Sequence, residues 1–455
     1  MAVFGRVGTV LGLLGAAWLL FTLSVTRDLA ASFRTGTARY EQPALRPDTL
    51  PAGDLTRGGL VSPPTHAPPR PEAADAPARL CTGPVDVVFT WVNGSDPAQI
   101  ARLEQHHGNA QRLAIMYRDY GLLRFAVRSI EKNAPWARHI ILYTNGQRPD
   151  WYNESAPRFA PHPLSVSLFF CVSMCCVLFC DMFLSRVMCF SNTTKKHRTR
   201  VVTHDEVFKD VKNLPTFNSN AIESNLHRIA GLSECFLYMN DDMFLLDPTP
   251  LDYFVDAGTG LLNLHFEGRT APAEKEMKTN GWFRSVAHSN AVINSWYHPD
   301  ANATVRHHFA AHYCYFMSRR VLGAMAARWP AQWAYTERNR FRDERDNAIP
   351  FLHANVALEE GVGRSTPARN AGGAWYGNRT LNDAVWNRIA RRRKPVYCSC
   401  LQDRLTGTPA VVEREIASLE QRMCQLFPEP SSLELTTLPN PCTKWLQKQG
   451  KKRAP

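Results

Sequence analysis

Three short apolar runs, each closed by an asparagine turn, constrain this chain more than any other feature. Val85-Asp86-Val87-Val88-Phe89-Thr90-Trp91-Val92 stops at Asn93-Gly94. His139-Ile140-Ile141-Leu142-Tyr143-Thr144 stops at Asn145-Gly146, and Cys235 to Met239 stops at Asn240-Asp241-Asp242. Such runs, bounded by turn residues, read as buried strands. Between the first two, Leu123, Val127 and Ile130 recur at helical spacing ahead of Pro135. Asn220 to Ile229 predicts a helix start, with Asn220 capping and Glu223 closing a capping box. Ile222, Leu226 and Ile229 then share a face. Val412, Ile416, Leu419, Met423 and Leu426 form the stripe of a late amphipathic helix. Strands alternating with helices predict an α/β fold with a largely parallel sheet. Ligands of such sheets bind beyond the carboxyl ends of the strands, and Asp241 and Asp242 stand at one such end.

The chain has 455 residues, 44% apolar and 21% charged, which excludes a disordered body. Its net charge of +12 suits an acidic partner: a nucleotide, a phosphate or a lipid surface. Val7 to Thr26 is a run of 20 residues without a charge, long enough to span a bilayer. We read it as a signal anchor, with residues 1–6 cytoplasmic and the remainder lumenal; a cleaved signal peptide is the second reading. Residues 27–80 form a stem, with nine prolines between 41 and 80. Sequons at Asn153, Asn192, Asn302 and Asn378 fit a secretory route. A membrane-tethered domain at 81–435 follows, then a basic tail at 436–455.

Adjacent carboxylates after a strand can hold a hard divalent cation, and through it a diphosphate. Alone, Asp241-Asp242 reads equally well as a solvated turn, Glu223 as a cap, His312 as a structural histidine and Arg342 as a surface charge.

Together they lie in blocks that resemble a family. Asp86 through Trp91-Val92-Asn93-Gly94-Ser95-Asp96-Pro97 is similar to the opening block of the Stealth proteins. The second block runs through Arg118-Asp119-Tyr120-Gly121, Arg128-Ser129-Ile130-Glu131-Lys132-Asn133 and Thr144-Asn145-Gly146-Gln147. It resumes at Thr203-His204-Asp205-Glu206, and continues through Leu214-Pro215-Thr216-Phe217-Asn218-Ser219-Asn220-Ala221-Ile222-Glu223 and Leu226-His227-Arg228-Ile229 to Tyr238-Met239-Asn240-Asp241-Asp242. The third comprises His312, Arg319-Arg320-Val321, Trp329-Pro330, and Arg340-Phe341-Arg342 with Asp346. The fourth comprises Cys400-Leu401-Gln402-Asp403 and Phe427-Pro428-Glu429-Pro430-Ser431. Cys314 stands where the family usually has Pro, and Gln402 where it usually has Asn.

Stealth proteins are sugar-1-phosphate transferases that include the catalytic subunit of the lysosomal-enzyme N-acetylglucosamine-1-phosphotransferase. The resemblance implies a single Rossmann-like, glycosyltransferase-like catalytic domain. It implies a UDP-sugar donor, usually UDP-N-acetylglucosamine, with Mg²⁺ or Mn²⁺, and a glycan or glycoprotein hydroxyl that attacks the sugar-proximal phosphorus as UMP leaves. By position, Asp241 and Asp242 would bind metal, Arg342 would clamp a phosphate and His312 would be the general base. Asp346 would orient one of them. Asp86, Asn93, Asn218, Asn220, Glu223, Arg228 and Asp403 would line the substrate site, with Asp86 at its edge or near the metal. Expected partners are the donor, the acceptor and the membrane through the anchor, with a homodimer open and nothing pointing to nucleic acid. The expected location is the Golgi membrane, with the catalytic domain in the lumen. Rival readings are a metal-dependent UDP-sugar glycosyltransferase and an inactive binding homologue.

Pro163 to Cys180 is an uncharged run of 18 residues inside an anomalous stretch at 163–200 that carries five of the chain's 12 cysteines. It reads locally as a second span. A lineage-specific hydrophobic loop or a mis-assembled coding segment suits it better, because a second span would part Asp86 from Asp241. A metal-binding cysteine cluster ranks third. The seven other cysteines, in an oxidising lumen, should pair and leave one over.

Overall fold

Five strands assemble side by side around Val85–Trp91 (β1). Its neighbours are Ala137–Thr144 (β2) on one side and Cys235–Asn240 (β4) on the other, both parallel to it. Arg200–Thr203 (β3) extends the sheet parallel to β2, and Tyr315–Ser318 (β8) closes it antiparallel to β4. β1 is buried on both faces, which explains its near-continuous apolar run. The computed structural model describes residues 80–107, 117–155, 199–272 and 281–447, except 302, 368–370, 377–382, 384, 385, 390, 404 and 406; at 367, 371–376, 402 and 403 it describes the backbone alone.

Two smaller sheets flank the first. Met243–Phe244 (β5) pairs antiparallel with Cys398–Asp403 (β11), which runs parallel to Ala371–Tyr376 (β10). Leu262–Thr270 (β6) lies between His308–Ala310 (β7) and Gly363–Pro367 (β9). Helices among the described residues include, in order, Pro97–His107 (α1), Leu122–Asn133 (α2), His204–Val207 (α3), Ser219–Glu223 (α4), Gly281–Tyr297 (α5), Arg319–Arg328 (α6), Pro330–Arg338 (α7), Ile349–Glu359 (α8) and Pro409–Leu426 (α9).

The helix predicted from Asn220 starts earlier and is shorter. Asn218 is its cap, with Oδ1 accepting from the Asn220 amide at 3.0 Å, and α4 ends at Glu223 before a separate 3₁₀ turn at Leu226–Arg228. Glu223 therefore closes no capping box; its carboxyl turns inward to Tyr238. The anchor at 7–26, the stem up to residue 79 and most of the stretch at 163–200, with its five cysteines, lie outside the described residues. Among the described residues no helix is long and apolar enough to cross a membrane. β2 and β3 precede and follow residues 156–198 and are neighbours in one sheet, so the chain on either side of that stretch lies on one side of any bilayer.

The seven remaining cysteines divide as their odd number required. Cys81 joins Cys235, Cys314 joins Cys398, Cys424 joins Cys442, and Cys400 stays a buried thiol. The last disulfide draws the segment beyond α9 back onto α2, so packing continues past residue 435. There Arg128, 3% exposed, is the anchor. Its Nε and Nη2 donate to Glu434 at 2.6 and 2.7 Å, Nη1 donates to the Phe427 carbonyl at 2.9 Å, and Nη2 also donates to Asn440. This field holds Glu434 below the usual carboxylate range despite its burial. Removing one partner of such a pair strands a buried charge, at a cost of about 3–5 kcal/mol. Arg128→Met should lower the unfolding free energy in urea by about that much. A loss below about 1 kcal/mol, the size of an exposed pair, would show that the pair does not hold the C-terminal segment.

Candidate active site

The carboxyl end of β4 delivers Asn240, Asp241 and Asp242 into the turn before β5, where the main sheet meets the second sheet. The Asp242 carbonyl accepts from the Leu401 amide at 2.8 Å, so β11 borders the turn. From β11, the Cys400 thiol donates to Asp242 Oδ2 at 3.4 Å. Asp242 Oδ1 is buried and has no hydrogen-bond partner. Both carboxyls titrate high. Desolvation, then the charges of Asp242 and Asp119, push Asp241 far up; desolvation pushes Asp242 to about 6. Two carboxylates with an unsatisfied oxygen between strand end and second sheet are an oxygen donor set suited to a hard cation. The acid pair thus fits Mg²⁺ or Mn²⁺, and Asp242 Oδ1 is the oxygen free to bind it.

A second group is linked to the pair through Tyr315, which feels the Asp242 charge. His312, between β7 and β8, has Nδ1 2.7 Å from the Tyr315 hydroxyl. Tyr315 stacks on Tyr238, ring centroids 6.0 Å apart. The Tyr238 hydroxyl lies 3.0 Å from Glu223 Oε1 and 2.9 Å from Asn240 Oδ1, with Thr90 Oγ1 at 3.2 Å. Glu223 is buried, and desolvation raises its carboxyl to about 7 against the opposing pull of Arg342. Burial, and after it the Arg342 cation, lowers His312 to about 4. Its imidazole is therefore neutral across the physiological range. Arg342 itself is exposed, with Nη2 donating to Ser219 Oγ at 2.7 Å. No ion pair joins Arg342 to Asp242 among the described residues, so the two are not a structural salt bridge.

Asp346 holds the loop that presents Arg342. It accepts from Asn218 Nδ2 at 2.7 Å, from Asn339 Nδ2 at 2.7 Å and from the Asp343 amide at 2.8 Å. It touches neither the Arg342 nor the His312 side chain, so its orienting role runs through the backbone. Phe341, beside Arg342, stacks on Phe217 with centroids 5.2 Å apart, and the Phe217 amide donates to the Arg340 carbonyl. Asn218 is thus a scaffold residue. Asn220 carries a buried Nδ2 without a partner.

The loop after β1 is set by Asn93. Its Oδ1 accepts from the Ser95 amide, and its own amide donates to Gln147 Oε1 at 2.8 Å. Gln147 Nε2 reaches Asp96, tying the turns after β1 and β2 together. Gly94 is required there: a Cβ would meet the Tyr117 carbonyl oxygen at 1.7 Å.

Two expected site residues lie elsewhere. Asp86 sits at the amino end of β1, opposite the acid pair, where it accepts two bonds from Arg138 and one from the Ser233 amide at 2.8 Å. Arg228 pairs with Glu337 and ties the turn after α4 to α7. The Asp403 backbone pairs with Tyr376 at the end of β11, and its side chain lies outside the described residues. Conversely, four residues without a sequence assignment belong to the cluster: Asp119, Tyr315, Cys400 and, on β6, Glu267, whose charge acts on His312 and Tyr315. Asp119 and Cys400 lay in quoted blocks without an assigned role; Tyr315 and Glu267 gave no signal.

Three conserved-region profiles match in chain order: Stealth protein CR1, conserved region 1, over residues 83–109; CR2, conserved region 2, over 188–261; and CR3, conserved region 3, over 311–355. Over these three regions the chain is similar to the Stealth proteins. It is similar to an exopolysaccharide phosphotransferase of Streptomyces coelicolor, 34% identical over 372 residues that cover 79% of this chain and 54% of the relative. It is also similar to a capsular polysaccharide phosphotransferase of Actinobacillus pleuropneumoniae, 26% identical over 49% of this chain and 52% of the relative. The chain spans about half the length of these relatives. Among solved structures it is similar to the galactosyltransferase LgtC, at 11% identity and a TM-score of 0.35 over 80% of this chain and all of that one.

Asp242→Asn removes one of two repelling carboxyls and the free oxygen's charge. Outer partners of a metal site are worth about 10–100-fold in affinity, so losing a ligand should weaken Mn²⁺ binding by at least about 100-fold. The metal-free variant should melt no lower than the parent. Unchanged Mn²⁺ affinity in a titration would remove Asp242 from the cation site. Glu223 gives a pH signature. Its folded pKa is raised from 4.5 to about 7, so its neutral form contributes stability that is present below 4.5 and lost as pH rises through about 7. In chelator-treated protein, Glu223→Gln should leave stability near pH 4 unchanged and raise it at pH 8 by about 3 kcal/mol. An equal effect at both pH values would show that the carboxyl is not held neutral by its site.

Proposed function

We propose that the chain transfers a sugar-1-phosphate, N-acetylglucosamine-1-phosphate from UDP-N-acetylglucosamine, to a hydroxyl of a glycan or glycoprotein, releasing UMP. One observation carries the reading: the cation-ready acid pair at the end of β4 is joined through Tyr315 and Glu223 to a neutral histidine and an exposed arginine, the parts that phosphoryl transfer requires. Mg²⁺ or Mn²⁺ bound there neutralises negative charge on the diphosphate. Asp242 and Asp241 would hold the cation, Asp242 through the oxygen that Cys400 leaves free. Arg342 takes a phosphate as a planar donor, poised by Ser219 and by the loop fastened at Asp346. His312 is the general base. With Nδ1–H donating to the Tyr315 oxygen, Nε2 carries the lone pair that accepts the acceptor's hydroxyl proton. As the acceptor oxygen bonds to the sugar-proximal phosphorus, the bond to the UMP oxygen breaks.

The similarity to an exopolysaccharide and a capsular polysaccharide phosphotransferase supports a polysaccharide acceptor over a protein one. Disulfides of the kind at Cys81–Cys235 and Cys314–Cys398 persist in oxidising compartments, and the lumenal, Golgi placement belongs to the same proposal. An inactive homologue is disfavoured by the Cys314–Cys398 disulfide, which turns a departure from the family pattern into a tie between β8 and the strand bearing Cys400. The experiment is a transfer assay with donor labelled at its sugar-proximal phosphate and a panel of polysaccharide acceptors. Label should pass to the acceptor with UMP as co-product. Label retained in UDP, with sugar alone transferred, would make the chain a glycosyltransferase.

A further inference from the structure

Apart from the acid pair, three metal-binding side chains converge at the junction of α5, β7 and α8. His298 follows α5, His307 precedes β7, and Glu359 ends α8. Nε2 of His298 lies 2.9 Å and Nε2 of His307 3.2 Å from the same oxygen, Glu359 Oε1. One ligand atom from each lies within 4.8 Å of the others. The His307 side chain is 7% exposed, His298 26% and Glu359 19%, so the cluster is backed by protein and open to water on one side.

Asn290, on α5, determines which face His307 offers. Its Nδ2 donates to the Val305 carbonyl at 3.0 Å, and its Oδ1 accepts from the His307 amide at 3.0 Å, so the amide has one orientation. That Oδ1 also lies 2.9 Å from His307 Nδ1, which therefore carries a hydrogen. In the neutral ring Nε2 is left with its lone pair, aimed at a carboxylate oxygen. Lone pair against carboxylate is repulsive unless a cation lies between them. A histidine whose far nitrogen donates to a carbonyl-type oxygen while the near one faces a carboxylate is the arrangement of metal-bound imidazoles. With zinc bonds of about 2.0–2.1 Å, tetrahedral ligand atoms sit about 3.4 Å apart, close to the two separations observed. The neighbouring cation, Arg328, is engaged by Glu360 and Tyr297 and leaves Glu359 to the histidines.

We propose that His298, His307 and Glu359 form a zinc site, with water in the fourth position, that fastens the end of α5, the start of β7 and the end of α8 together. The site is separate from the acid pair and does not depend on the transfer reaction proposed above.

The test uses the purified full chain, stripped with a chelator and titrated with Zn²⁺, with bound metal counted by elemental analysis. Co²⁺ replaces Zn²⁺ for visible spectroscopy. The parent should gain thermal stability with Zn²⁺ and show tetrahedral Co²⁺ bands. His307→Ala and Glu359→Gln should each bind one equivalent fewer and lose those bands, whereas Asp242→Asn should keep them. His298→Ala, at the exposed rim, decides the question if the buried variants fail to fold; it should weaken zinc by at least about tenfold. Full zinc content in His298→Ala, or a parent whose stability and Co²⁺ spectrum ignore the metal, would overturn the proposal and leave a proton as the cation between His307 and Glu359.

Discussion

Two carboxyl groups on adjacent residues at the end of a buried strand cannot both ionise in place without a compensating cation. Asp241 and Asp242 meet that constraint in protein surroundings, where each loses solvation and feels the other's field. The metal-free protein relieves the repulsion by taking up protons. A divalent cation held by the two carboxylates would relieve it differently, by compensating both charges. The surrounding architecture follows from keeping this pair dry on one side and reachable on the other. β1 and β4, parallel and in register from Asp86–Phe236 to Thr90–Asn240, bring their carboxyl ends to one edge. β5 and β11 close beneath the acids.

Charge on the opposite face is held by means that leave the functional groups free. Asp346 spends its oxygens on the loop backbone and two asparagines, so Arg342 projects without a carboxylate partner. Tyr315 occupies one nitrogen of His312 and leaves the other. The Cys314–Cys398 disulfide ties β11 to the start of β8, and from β11 the Cys400 thiol donates to Asp242 Oδ2, leaving Oδ1 without a hydrogen-bond partner. Arg342 lowers the proton affinity of both Glu223 and His312, so one exposed cation couples the histidine and the buried acid.

Where the chemistry followed from strand ends, it was legible. β1, β2 and β4 fall within two residues of their apolar runs, because buried parallel strands write themselves as continuous hydrophobic sequence. The acid pair was found for the same reason. Asp86 misled because a carboxylate opening a buried strand looks the same whether it faces a ligand or an arginine; only the register shows that it lies at the amino end with Arg138. Glu223 misled in the other direction: at capping-box spacing it reads as a local cap, yet the true cap is Asn218 and the carboxyl turns to Tyr238. Tyr315 and Glu267 were invisible, and Cys400 stood in a quoted block without a role, because they reach the site from β8, β6 and β11, elements whose pairing no local pattern encodes.

The central claim is that the acid pair at the end of β4 holds the cation that holds the diphosphate. The most direct measurement is anomalous diffraction from crystals of the protein grown with Mn²⁺ and UDP. The account predicts a manganese peak in contact with Asp242 Oδ1 and with a phosphate oxygen of the nucleotide, Arg342 lying on the phosphate side. Nucleotide bound with no manganese at Asp241 and Asp242, or manganese bound there with the diphosphate seated elsewhere, would contradict it.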